Sequence, residues 1–125
     1  MNTSLSFNAH VISGAGRGKQ LGTPTMNLDL SAVPSGVHEG IYACFCTFDG
    51  RHHQAVMHYG PRPVFKDTAS CEIHVLDTTI NEAPQQLTVE IIHYLREVRD
   101  FQTPEALMAQ IAADIDDARA ILRNT

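Results

Sequence analysis

Residues 40–59 read GIYACFCTFDGRHHQAVMHY, with apolar and β-branched runs on either side of Asp49-Gly50. An Asp-Gly pair between such runs favours a tight turn with positive φ, so Gly40 to Phe48 and Gln54 to Tyr59 are expected as a hairpin. Similar short runs lie on both sides, at Phe7 to Ile12, Cys71 to Asp77 and Leu87 to Leu95. Turn residues separate them at Gly14 to Gly22, Pro34 to Gly36, Pro61 to Pro63 and Asn81 to Pro84. Strands at these intervals suit an all-β barrel or sandwich.

The period changes after Phe101. Thr103-Pro104-Glu105 supplies an N-cap, a proline at the first helical position and an acid in the first turn. Leu107, Ile111, Ile115, Ala118 and Leu122 then recur at spacings of three and four, which predicts a helix over about 103–123. So short a helix is marginal alone and must pack on the β unit. The acids Asp114, Asp116 and Asp117, with Arg119, are expected on its solvated face, and Met57 and Met108 at core positions. The whole chain, 1–125, reads as one domain, with the β unit over about 5–100.

The chain has 125 residues, 43% of them hydrophobic, which suffices for a packed core and excludes collagenous and disordered classes. A net charge of −5 argues against sequence-independent nucleic-acid binding, which needs a basic face. No run approaches the ~18 apolar residues of a membrane span, and MNTSLSFNAH lacks the features of a signal peptide. With three cysteines, an odd number, a reduced cytoplasmic protein is expected.

One segment breaks the acidic balance. From Ser13 to Asn27 the chain reads SGAGRGKQLGTPTMN, with Arg17 and Lys19 among closely spaced glycines. Backbone amides in such a loop form an anion cradle to which the two cations add charge, although a flexible surface loop would also use the glycines. The segment lacks the Gly-Lys-Ser/Thr ending of a P-loop. Pro24 biases Thr23 toward extended backbone, and Thr25 and Asn27, two apart, share one strand face. Their oxygens suit magnesium, and an Asx- or ST-turn is the alternative use.

In Cys71 to Asp77, Glu72, His74 and Leu76 share a face opposite Cys71, Ile73 and Val75. A carboxylate and an imidazole together inside a barrel make a proton-abstracting site, and the wet face of an edge strand is the alternative. His74 is expected as a neighbour of Glu72 rather than the base. Cys44, Cys46, His52, His53 and His58 invite a zinc reading, but no ligand spacing completes a set.

Taken in order, Gly-x-Gly-Arg-Gly-x-x-Leu-Gly-x-Pro-Thr-x-Asn (Gly14 to Asn27), Gly-Ile-Tyr-Ala (Gly40 to Ala43), Gly-x-x-Pro-x-Phe (Gly60 to Phe65), Glu-Ile-His-Val-Leu-Asp (Glu72 to Asp77), Leu95-Arg96, Phe101 and a helix with Gln110 and Asp114 resemble the riboflavin kinase family. That family includes the kinase module of bifunctional bacterial FAD synthetases. The resemblance implies a mainly β fold, a six-stranded antiparallel Greek-key barrel with a C-terminal α-helix. It implies ATP-dependent phosphorylation of the riboflavin 5′-hydroxyl to FMN, giving ADP, with a non-catalytic flavin- or nucleotide-binding module as the alternative. By the same resemblance Gly14, Gly16, Arg17, Gly18, Lys19, Gly22, Pro24 and Thr25 would hold the nucleotide phosphates. Thr25 and Asn27 would hold Mg2+ or another divalent ion. Glu72 would be the general base, and Arg96 and Phe101 would lie on the flavin side. A separate FAD-forming adenylyltransferase would be a partner. The chain departs from the family pattern at Thr23, commonly Phe, at Val64, commonly Thr, and at Asn81 to Pro84, where a Tyr-Gly is usual.

Overall fold

The computed structural model describes residues 5–15, 25–61, 69–78, 80 and 82–125. They form strands β1 (Leu5–Ala15), β2 (Thr25–Leu28), β3 (Gly40–Phe48), β4 (Arg51–Pro61), β5 (Ala69–Val75) and β6 (Gln86–Arg96), followed by helix α1 (Pro104–Arg123). A single 3-10 turn, Leu30–Ala32, follows β2 and is capped by the Asp29 carboxylate, which accepts from the Ser31 amide at 2.9 Å. The Asp49-Gly50 turn joins β3 to β4 with φ of 51° and 72°, both in the region the dipeptide favours.

All neighbours are antiparallel and the sheet closes on itself in the order β1-β2-β5-β4-β3-β6, as the resemblance implied. β2 was the strand without an apolar run. It has only four residues, and Thr25 and Asn27 alternate with Met26 and Leu28, which point into the core. Gly60, at φ 140°, sits where a Cβ would come within 3.2 Å of both Glu39 and Val98, so the glycine at that motif position answers a steric demand.

Alternation divides β3 and β4 between two packing zones. Met26, Cys44, Cys46, Met57, Cys71, Ile73, Val75 and Val89 fill the barrel interior. Ile41, Ala43, Val56 and Leu76 face outward, where Ala118 and Leu122 of α1 cover them. At about 25 cal/mol per Å2 of apolar surface, this second zone is what gives α1 a stable seat. Two ion pairs add to it, Arg96 with Asp114 at 2.8 Å and Arg119 with Asp77 at 2.6 Å.

Two expectations for α1 are corrected. Asp114 is not on the solvated face: it is 3% exposed, because Arg96 of β6 reaches it on the barrel side of the helix. Met108 is 36% exposed, one position away from the covered stripe, whereas Met57 is fully buried as expected. Among the described residues no helix is long and apolar enough to cross a membrane.

Candidate active site

The pairing of β2 with β5 sets Thr25 opposite His74 and Asn27 opposite Glu72. Because Met26, Leu28, Cys71 and Ile73 point inward, these four polar side chains stand together on the outer wall. This corrects both expectations for Glu72. It does not face the barrel interior, and at 4% exposure it does not lie on a wet edge either, since β5 is paired on both sides by β2 and β4. Thr25 is 3% exposed, and its Oγ1 lies 3.3 Å from Nδ1 of His74. A hydroxyl that donates to an unprotonated Nδ1 still has oxygen lone pairs to offer elsewhere. His74 therefore serves as a partner for Thr25, beside Glu72.

The register extends this group into a row around the barrel. Glu72 pairs with His58 of β4, His58 with Ile41 of β3, and Ile41 with Arg96 of β6. Arg96 closes the row on α1: its Nε and Nη2 donate to the two carboxylate oxygens of Asp114 at 2.9 and 2.8 Å. Its Nη1 donates to the carbonyl of Glu97 at 2.9 Å. Gln110 Nε2 donates to the same carboxylate at 3.0 Å, while its Oε1 accepts from Arg99. The guanidiniums of Arg96 and Arg99 lie 5.8 and 5.7 Å from the centre of the Phe101 ring, a cation–π arrangement on both.

The described residues thus bring Thr25, Asn27 and Glu72 into one patch and Arg96 with Phe101 into a second, in the same row. Gly14 pairs with Met26, so the glycine segment starts alongside β2. Gly16, Arg17, Gly18, Lys19, Gly22 and Pro24 lie outside the described residues, as do Thr23, Val64 and Asn81 among the departures. Reading the sequence missed His58 and Asp114. Alternation about Met57 and Tyr59 would have turned His58 outward, but its place beside Glu72 depends on a pairing 14 residues away that no local signal encodes.

The donor set fits a small hard cation. Thr25 and Asn27 offer neutral oxygens from one face of β2, hard donors of the kind magnesium takes, with the Glu72 carboxylate opposite Asn27 and the His74 imidazole opposite Thr25.

Comparison with known proteins gives four results. The sequence model described as "Flavokinase: Riboflavin kinase" matches residues 1–122. The chain is 35% identical over 116 residues to the riboflavin kinase of Homo sapiens, covering 87% of this chain and 75% of that protein. It is 36% identical over 115 residues to the bifunctional riboflavin kinase/FMN adenylyltransferase of Pseudomonas fluorescens, covering 89% of this chain and 36% of that one. Among solved structures, a protein from Streptococcus pneumoniae described as a macrolide-efflux protein superposes with a TM-score of 0.78 at 24% identity, over 94% of this chain and 39% of that chain. That likeness bears on the fold, which is the same.

Proposed function

The chain belongs to the riboflavin kinase family, and from that premise we propose a division of labour among its residues. The reaction is the phosphorylation of riboflavin to FMN, with ATP as the phosphoryl donor. One observation carries the residue assignment: Thr25, Asn27 and Glu72 share one patch, in which Thr25 and Glu72 are buried, and Arg96 stands in the same row.

Glu72 is the general base. As the ribityl 5′-oxygen bonds to the γ-phosphorus and the bond to the ADP oxygen breaks, the hydroxyl proton passes to the Glu72 carboxylate. Burial of Glu72 and Thr25 keeps water, the competing acceptor, away from the transferring group. Thr25 and Asn27 hold a divalent ion, magnesium being the natural fit, which when bound supplies charge neutralisation for the phosphates. Gly14, Gly16, Arg17, Gly18, Lys19 and Gly22 cradle the phosphates through backbone amides and the two cations, and Pro24, which has no N–H to donate, borders them. Phe101 and Arg96 border the flavin, and Asp114 holds Arg96 in place.

The Pseudomonas relative is named for an FMN adenylyltransferase activity as well. A separate FAD-forming adenylyltransferase is the natural consumer of the FMN made here. Three free, buried thiols accord with a reducing, cytoplasmic setting.

Glu72→Gln tests the assignment. Turnover of riboflavin with Mg-ATP should fall about 10²–10⁴-fold, while ADP affinity by calorimetry stays within about twofold. Turnover near the wild-type value would remove Glu72 from the role.

A further inference from the structure

The connection from β6 to α1 carries a side-chain link that the division of labour above leaves unused. Gln110, in the first half of α1, employs both ends of its amide: Nε2 donates to the Asp114 carboxylate at 3.0 Å, and Oε1 accepts from Nη2 of Arg99. Asp114 in turn accepts from Nε and Nη2 of Arg96. A chain of contacts therefore runs from Arg99 through Gln110 and Asp114 to Arg96. Its two ends return to one ring, because each guanidinium lies over Phe101.

The residue type at position 110 follows from its two neighbours. A glutamate there would set carboxylate against carboxylate at Asp114, and a lysine would set ammonium against guanidinium at Arg99. An amide donates at one end and accepts at the other, so it meets an anion and a cation at once. Folding gives little reason for the arrangement. Arg99 is exposed, and the ion pairs among the described residues go to Arg96 and Arg119 rather than to it. Fixing so long a side chain costs rotamer freedom. The backbone on either side is anchored without it: Val98 Cγ2 fills the space where a Gly60 side chain would stand, and Thr103 caps α1.

We propose that Gln110 is a positioning residue for the acceptor side. By joining Arg99 to the Asp114–Arg96 pair it holds both guanidiniums on Phe101, and so sets the ring and residues 97–103 in place before riboflavin arrives. The inference rests on Phe101 and Arg96 bordering the flavin. A ligand that meets an ordered wall does not have to order it, and the gain appears as affinity for the flavin, with none for the nucleotide.

The test uses the full chain. Riboflavin binding is read by quenching of its fluorescence and ADP binding by calorimetry, beside KM values for riboflavin and ATP. Gln110→Leu keeps the bulk and loses both hydrogen bonds. It should raise the riboflavin Kd and KM about three- to tenfold and leave ADP affinity and KM for ATP within about twofold. Arg99→Met should raise the riboflavin values by a similar factor, and the double variant should add little to either single change, since both break the same link. A Gln110→Leu protein that melts lower yet binds riboflavin as the wild type does overturns the inference, and so does an additive double variant. If Gln110→Leu does not fold, Arg99→Met decides: a raised riboflavin Kd supports the inference and an unchanged one overturns it. Phe101→Ala separates the two levels of the reading. Unchanged riboflavin affinity in Phe101→Ala overturns the flavin-side assignment and the inference with it. Weakened affinity there, beside unchanged affinity in Gln110→Leu, overturns the inference alone.

Discussion

Asp114 keeps a carboxylate inside the molecule because three hydrogen bonds, two from Arg96 and one from Gln110, meet it there. Removing one member of such a pair leaves the other charge under-solvated. Arg96 retains 17% side-chain exposure, so the cost falls toward the low end of the usual range. Asp114→Ala should lose about 2–3 kcal/mol in urea unfolding, and KM for riboflavin should rise several-fold while KM for ATP holds. The two-residue spacing put Thr25 and Asn27 on one strand face, and Glu72 and His74 on another, but a turn or a wet edge was an equal use of them, and their roles came from the family resemblance. Asp114 was misplaced. The helical period put it among the acids of the polar side, and only the arrival of Arg96 from β6 explains its burial.

Local chemistry was legible where an element is decided by its own residues. Thr103 caps α1 as read, its Oγ1 accepting from the Ala106 amide at 3.1 Å, and Pro104 takes the first helical position. Thr103→Ala should therefore cost about 1 kcal/mol, measured as a lower urea midpoint with an unchanged slope. The β3–β4 hairpin was equally plain, since Asp49-Gly50 accepts the positive φ values the turn needs. β2 is the counterexample. Its four residues carry too little apolar signal to read as a strand alone, and pairing with β1 and β5 is what holds them extended. The row from Asn27 to Arg96 was hidden for the same reason, as it is assembled from the registers of strands distant in sequence.

At the scale of the molecule, the residues alone left a barrel and a sandwich equally open, and the six-stranded closure came from the family resemblance. Strand order is a property of long-range pairing, which no window of the sequence contains. The closed interior also traps Cys44, Cys46 and Cys71, all 0% exposed. Burial raises all three thiols, Cys44 well above 9.0 and Cys46 and Cys71 to about 12. The unfolded chain releases these protons near pH 9 and the folded chain does not, so stability is intact below pH 9 and drains away as pH rises from about 9 to 12. Each thiol contributes about 1.4 kcal/mol per pH unit to that slope. Urea midpoints across this range should fall more steeply for the wild type than for Cys46→Ala.

Those thiols point into the lumen, across the wall from the reacting row, although Cys71 precedes Glu72 in β5 and feels its charge. Selection therefore meets two linked problems in one small cylinder. Methyl-by-methyl drift in the lumen leaves the polar row in place, whereas outside it the Arg96–Asp114 pair serves folding and the flavin side at once, so new acceptor preferences there must be reached without breaking it.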